Sequence, residues 1–305
     1  MTRIIMLLTI VIFLCLESCE LAPREISLAE HDSKIAITAL LTSGDTTNNI
    51  LFNVSIGILD STQQYENGFL NNQTLTLHTP DAGPVQGYIA KDIDDYKPWE
   101  RASRYRQWKF DYNEFIIGET YELEATADNY EAVSAKTTVP QPPNVLDVKV
   151  TKDLNPRGMA VTRDKFEITL KDDPSVRNYY RINGIPISSE EIPFYNPYRF
   201  YRNASDPLDF SALDELIIVL SDDEFNGQEY TIILYGEIIN EQPYNQVDIS
   251  LVSITEQEYR RTLALNSNID NNPFAEPIIY NSNIANGYGV FSISSSPFRE
   301  AITVE

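Results

Sequence analysis

The segment Lys34-Ile35-Ala36-Ile37-Thr38-Ala39-Leu40-Leu41 places apolar side chains at every second position, beginning with Ile35 and ending with Leu41. Successive side chains of a strand point to opposite faces, so this period predicts a strand with one face on a core and one in water. The same period recurs further along the chain, at 50–58, 121–127, 133–139, 146–150, 166–170 and 247–251. Turn signals such as Gly44-Asp45 lie between these segments. Many short strands separated by turns predict an all-β fold.

A proline cluster divides the chain. Pro140-Gln141-Pro142-Pro143 has three prolines in four residues, and proline cannot donate the hydrogen bonds of a central strand. We therefore predict two immunoglobulin/fibronectin-like β-sandwich domains, residues 34–140 and 144–305, joined by a Pro-rich junction at 141–143. Each domain is large enough to bury its own core.

The second domain contains one short predicted helix near its C-terminal part. Thr255 followed by Glu258 forms a capping box, and Tyr259 and Leu263 lie four residues apart on one helix face. We therefore expect a helix over 255–266. Earlier in the same domain, Asn183-Gly184 between two apolar runs predicts a tight hairpin turn.

The charge balance excludes one class of partner. The chain has 305 residues, with 23 Lys and Arg against 45 Asp and Glu, which gives a formal net charge of −22. Binding to nucleic acid requires basic side chains that displace counterions from the phosphates. No nucleic acid partner is therefore expected.

The N-terminus has the pattern of a bacterial lipoprotein signal. An apolar run at 4–16 is too short for an ordinary membrane-spanning helix of about 20 residues and matches a signal peptide. Leu16-Glu17-Ser18-Cys19 then resembles a lipobox. We expect a signal peptide at 1–18, acylation of Cys19 and a lipidated tether at 19–33. Acyl chains on Cys19 would anchor the protein in outer-membrane lipid, since two or more chains anchor stably.

The C-terminal part carries the residues of a family resemblance. It contains NPF-x-x-P at 272–277 and SNI-x-x-G-x-G-x-F at 282–291. With the lipobox and the Pro-rich junction, this order resembles a Bacteroidota lipoprotein family known as domain of unknown function 4249. The resemblance implies an envelope lipoprotein, often encoded beside TonB-dependent outer-membrane receptors, and it implies no catalytic residues. Gly287 and Gly289 would permit turns or a close backbone approach before a strand.

Few residues point to catalysis or metal binding. His31 and His78 lack metal-ligand spacing, and the sequence has no Gly-x-Ser-x-Gly nucleophile elbow. Asp222-x-Glu224-x-Asn226-Gly227 resembles the start of a calcium loop, but Ile233 stands at the twelfth position, where a bidentate Glu is required. A turn between strands is the better interpretation. We expect no catalytic residue, no metal and no cofactor.

Two aromatic and basic segments stand out from the acidic chain, at 96–109 and 194–202. Tyr, Trp and Arg dominate interface hot spots, so we predict contacts with a partner or ligand here. The predicted contact residues are Trp99, Arg101, Arg104, Trp108, Tyr195, Tyr198, Arg199 and Tyr201. The alternative is that these rings are core residues on strands.

The combined prediction is a non-enzymatic, lipid-anchored outer-membrane protein that acts as an accessory partner of a TonB-dependent receptor in nutrient uptake. The alternative is a structural or adhesive surface protein with sandwich domains as spacers. A carbohydrate-active enzyme is a third class, and would require a cleft with paired carboxylates. Ligand identity, membrane leaflet and oligomeric state stay open, as does glycosylation at Asp45-Thr46-Thr47 and Asp60-Ser61-Thr62.

Overall fold

The structure, a computed structural model, describes residues 32–55, 70–91, 106–153, 163–188, 199–202, 217–237, 244–267 and 282–303. Before the Pro-rich junction these residues form β1 (Ile35–Thr42), β2 (Ile50–Val54), β3 (Thr74–Thr79), β4 (Gly83–Gln86), β5 (Tyr88–Lys91), β6 (Gln107–Lys109), β7 (Thr120–Thr126) and β8 (Val133–Thr138). After it they form β9 (Val145–Asp153), β10 (Arg163–Lys171), β11 (Tyr179–Ser188), β12 (Arg199–Arg202), β13 (Ile218–Ser221), β14 (Glu229–Glu237), β15 (Tyr244–Ile254), α1 (Glu256–Ser267), β16 (Tyr288–Ser294) and β17 (Phe298–Thr303).

The first sandwich consists of a five-stranded sheet in the order β16-β1-β2-β6-β5 and a four-stranded sheet in the order β4-β3-β7-β8. The alternating residues of β1 are buried, as the period predicts. Ile37 from one sheet and Leu77 and Tyr121 from the other belong to one apolar core. Burial of this apolar area supplies the main stabilisation of such a fold.

The second sandwich consists of two four-stranded sheets, in the orders β12-β14-β10-β9 and β13-β11-β15-β17. Phe166 and Leu234 from the first of these sheets share a core with Ile182 and Ile249 from the second. The predicted all-β fold of sandwich domains is confirmed.

The last part of the chain returns to the first sandwich. Strand β16 pairs in parallel with β1, with Ile37 opposite Gly289 and Ala39 opposite Phe291, and Phe291 and Ile293 lie in the first core. Gly289 has φ +115°, and a Cβ atom there would lie 1.8 Å from the carbonyl oxygen of Ile37. Residues 288–294 therefore belong with residues 34–140, which corrects the predicted assignment of all of 144–305 to the second domain.

Strand β11 passes through the position of the predicted hairpin. Asn183 and Gly184 pair with Ser250 and Ile249 of β15 inside one continuous ladder. Gly184 is not among the glycines with positive φ, which a tight Asn-Gly hairpin turn requires. The hairpin prediction is wrong because Asn183 and Gly184 lie inside the continuous ladder between β11 and β15, where the chain stays extended.

The predicted helix is confirmed, with Thr255 at its N-cap: Thr255 Oγ1 accepts a hydrogen bond of 3.3 Å from the backbone N–H of Glu258. Tyr259 and Leu263 pack on Tyr179 and Val252, which face outward from the second sandwich. Helix α1 thus covers a face of the sheet β13-β11-β15-β17. Within the described residues, no helix is long and apolar enough to cross a membrane.

Candidate functional site

A buried carboxylate lies where the two sandwiches meet. Glu258, in the first turn of α1, is 1% exposed, and its Oε2 accepts hydrogen bonds of 2.9 Å from the hydroxyls of Ser292 and Ser294 on β16. Its Oε1 accepts a hydrogen bond from the guanidinium of Arg181 on β11. A buried charge is tolerated only when it is paired and hydrogen-bonded. Glu258 therefore fixes α1, β11 and β16 relative to one another.

The alternation of β16 explains how its serines reach Glu258. Phe291 and Ile293 point into the first core, so Ser292 and Ser294 point to the other face. These two hydroxyls are nonetheless fully buried, because α1 covers them. The sequence predicts the usual capping box, in which Glu258 would turn back to the helix N-terminus. Its carboxylate instead accepts hydrogen bonds from Ser292 and Ser294 of β16 and from Arg181.

Further hydrogen bonds extend this polar contact between the sandwiches, which we call the seam. The backbone N–H of Ser295 donates to the carbonyl oxygen of Ser253 at 3.0 Å, and the N–H of Ser253 donates to the Ser295 hydroxyl at 3.2 Å. Thr255 Oγ1 donates to Ser292 Oγ at 2.8 Å. The seam therefore joins the sandwiches through side-chain and backbone hydrogen bonds, in addition to the places where the chain passes from one sandwich to the other.

A cleft of about 640 Å³ lies beside the seam, and we call it the junction cleft. The loop 43–47 of the first sandwich forms one side, and residues of the second sandwich form the other, among them Arg181, Asn183, Ile217 and Arg299. The loop is held in place because Gly44 donates its N–H to the carbonyl oxygen of Asn113 at 2.7 Å. Guanidinium, amide and hydroxyl groups suit the cleft to a polar partner.

Several acidic residues lie at one end of the second sandwich, where their carboxylates accept hydrogen bonds from groups of the same sandwich. Asp172 accepts bonds from the Tyr180 hydroxyl and the Asn178 amide, and Asp222 accepts a bond of 2.7 Å from the Asn178 N–H. Burial raises the pKa of the Asp222 carboxyl, although the Asn178 N–H opposes the rise. Burial and the bond to Asp172 also raise the pKa of Tyr180.

The calcium-like segment is confirmed as a turn. The N–H of Phe225 donates to the carbonyl oxygen of Asp222 at 2.9 Å, and the N–H of Gln228 donates to that of Phe225 at 2.8 Å. Across the described part of the chain, no cluster of three or more His, Cys, Asp or Glu has the arrangement of a metal site. His78 lies on β3, with its Nε2 3.0 Å from the carboxylate of Glu124.

Five of the eight predicted contact residues lie outside the described residues: Trp99, Arg101, Arg104, Tyr195 and Tyr198. The predicted acylation site, Cys19, also lies outside them. Arg199 and Tyr201 lie on β12, opposite Glu237 and Tyr235 of β14. Trp108 is 4% exposed and packs against Phe52, with ring centroids 5.7 Å apart. Its ring is therefore part of the first core. For this residue the predicted partner contact is wrong, and the alternative of a core residue applies.

The residues of the seam were not predicted from the sequence. From the sequence, Glu258 is predicted only to cap the helix, and no pattern singles out Arg181. One signal was present: serines alternate with Phe291 and Ile293 on an otherwise apolar strand. Such serines indicate a second, polar contact, but they do not identify the partner across it.

The fold and the seam define the class: an all-β protein of two sandwiches that share the C-terminal segment of the chain. Residues 22–297 match the family described as Domain of unknown function (DUF4249), and the chain belongs to this family. No curated protein matches the sequence.

Similar solved structures are distant. BcpA, the major pilin subunit of Bacillus cereus, is 7% identical with a TM-score of 0.22, over 90% of this chain and 69% of the pilin. The B domain of a biofilm associated protein is 9% identical with a TM-score of 0.20, over 88% of this chain and 86% of that one. Similarities this low carry no argument about function.

Proposed function

We propose that this protein is a non-enzymatic outer-membrane lipoprotein, anchored through acylated Cys19, that docks on a TonB-dependent receptor as an accessory subunit in nutrient uptake. The lipobox supports the lipid anchor at Cys19, and the family membership supports a location in the cell envelope. The observation that carries the docking proposal is the seam, in which Glu258 binds both sandwiches. A body that is already rigid loses less conformational entropy when it binds a partner.

The position of the junction cleft also supports docking. Strand β1 starts at Ile35, close to the tether, and ends at the loop 43–47 that borders the cleft. Eight strand residues span about 26 Å, and the tether 19–33 adds at most about 50 Å. The tether is thus long enough to let the cleft stand clear of the membrane, and anchoring would raise its effective concentration at a receptor in that membrane.

Site-specific photo-cross-linking in cells tests this proposal. A cross-linking residue replaces Ile217, which lines the junction cleft and is 43% exposed. The control position is Leu146 on β9, which is similarly exposed at 49% and lies outside the lining of the cleft. We expect mass spectrometry to identify a TonB-dependent receptor in the Ile217 adduct alone. Absence of such a receptor, or equal capture from both positions, would contradict the proposal.

A structural or adhesive role is the second candidate, and the same seam favours it. Two sandwiches held in one arrangement act as a stiff spacer, because the distance between their ends is fixed. Proteolysis of whole cells and an adhesion assay of a deletion strain test this role. Surface cleavage together with lost adhesion, without a receptor adduct, would support the spacer over the receptor partner.

A further inference from the structure

A second cleft, of about 300 Å³, lies at the end of the first sandwich, and we call it the aromatic cleft. Three rings line it, those of Tyr88, Phe110 and Tyr112, together with polar groups that include Asp45, Lys109 and Asp111. Its volume lies at the lower end of ligand pockets, which are roughly 300–1,000 Å³. Flat rings beside a few polar groups are the usual composition of a small-molecule site.

Tyr88 is the exposed wall of the aromatic cleft. It is 43% exposed and lies outside the packed core cluster of the first sandwich. On β5 it stands directly opposite Lys109 of β6, so both side chains project from the same face of the sheet. Burial and the hydrogen bond to Asp111 raise the pKa of Tyr88. The exposed part of the ring leaves apolar surface open to a ligand.

Tyr112 forms a fixed wall beside it. Its hydroxyl donates to Asp81 at 2.9 Å and lies 3.2 Å from the hydroxyl of Tyr121. Its ring packs edge-on against Phe115, with centroids 5.3 Å apart. Phe110 also packs against the core from this side. Because the hydroxyl and the ring of Tyr112 are both held by neighbouring groups, a ligand that contacts this side chain would not have to immobilise it.

The charges of the cleft indicate what kind of ligand it selects. Among the described lining residues, Asp45 and Asp111 supply two carboxylates and Lys109 supplies the single cation. The whole chain carries a net charge of −22. An anionic ligand would meet repulsion from both sources. Hydroxyl groups can donate to carboxylates and accept from an ammonium group, so a neutral polyol matches the lining.

We propose that the aromatic cleft binds a neutral saccharide, with a sugar face stacked on Tyr88 and sugar hydroxyls hydrogen-bonded to Asp111 and Lys109. The apolar C–H face of a sugar ring suits a flat aromatic side chain, and its rim of hydroxyls suits the charged groups. This proposal does not depend on a receptor partner, because the cleft lies wholly within the first sandwich.

Glycan binding by the full-length protein tests the proposal, in a detergent that lacks a sugar headgroup. An array of neutral and acidic glycans identifies the binders, and calorimetry with a bound neutral oligosaccharide gives the affinity. We expect binding to neutral glycans, and Tyr88→Ala weakens it about tenfold because the stacking surface is lost. Asp111→Ala weakens it by a similar factor because a charged acceptor is lost.

Two further variants separate recognition from folding. Tyr88→Phe keeps the ring and retains affinity within about threefold. Tyr288→Ala removes a tyrosine of equal exposure, 43%, that lies outside the aromatic cleft, and it leaves affinity unchanged. Lack of any neutral glycan binder, preference for acidic glycans, or equal loss in Tyr88→Ala and Tyr288→Ala would each overturn the proposal. Because no receptor is present in this experiment, its failure leaves the docking proposal intact.

Discussion

The hydroxyl of Ser294 donates a hydrogen bond of 2.9 Å to the carboxylate of Glu258. Ser294 ends β16, which is an edge strand of the first sandwich, while Glu258 lies in the first turn of the helix that covers the second. A single carboxylate thus contacts both halves of the molecule. Since the partners of a buried charge are costly to remove, the stability of the whole chain should depend on this residue.

Glu258→Gln should lower the free energy of unfolding by about 2 kcal/mol, because Arg181 then lacks its buried counter-ion. Glu256→Gln on the same helix is the matched control, since Glu256 also pairs with an arginine, Arg260, but at the surface. That exposed pair should contribute less than about 1 kcal/mol. Urea denaturation of both variants measures the difference, and equal losses would show that the seam is not a stabilising contact.

Gly289→Ala should destabilise the fold by more than about 3 kcal/mol, because the added Cβ meets the backbone of Ile37 and the φ angle is unfavourable for alanine. Gly44→Ala separates the two causes. Gly44 has a similar positive φ of +81° but nothing within 4 Å of an added Cβ, so only the conformational cost of about 1 kcal/mol remains. Thermal unfolding compares the variants, and similar melting temperatures would refute the close approach of β16 to β1.

A fragment of residues 34–140 should fail to fold alone, although the sequence marks it as a domain. It would lack Phe291 and Ile293 from its core and would expose the edge of β1 that β16 covers. Fusion of residues 282–296 through a flexible linker of about 20 residues should restore folding. Amide NMR spectra distinguish the two, and a well-dispersed spectrum of the shorter fragment would contradict this prediction.

Stability should fall as the pH rises above about 10. Burial and the Asp172 hydrogen bond raise the pKa of Tyr180 in the folded protein. In the unfolded chain the same hydroxyl ionises near the ordinary tyrosine pKa. Above that value the folded state holds more protons than the unfolded state, so the free energy of unfolding declines with pH. Urea denaturation from about pH 8 to about pH 11 measures this slope.

Tyr180→Phe tests the assignment of the alkaline slope. The variant should show a shallower decline, and a loss of about 1 kcal/mol at neutral pH because Asp172 loses a donor. Tyr288→Phe alters an exposed tyrosine on β16 and should retain the slope of the parent protein. A decline that is identical in all three proteins would assign it to groups other than Tyr180.

Local patterns predicted the elements of this fold well. The period of two in 35–41 and the capping residue Thr255 depend only on neighbouring residues, so the strand and the helix appear where they are expected. The predicted turn at Asn183-Gly184 is absent because both residues pair with β15 inside one continuous ladder. A turn signal indicates that a turn conformation is accessible to the backbone. Pairing with a neighbouring strand determines whether the turn forms.

The sequence by itself determined which residues face a core, that the fold is all-β, and that β16 carries serines between its buried apolar residues. Only the tertiary structure decided that β16 lies beside β1, that Glu258 meets Ser294 and Arg181, and that the ring of Trp108 is buried. The reason is physical: side-chain period follows from backbone geometry within one strand. The choice of neighbouring strand depends on contacts between residues far apart in the chain, and no local pattern encodes those contacts.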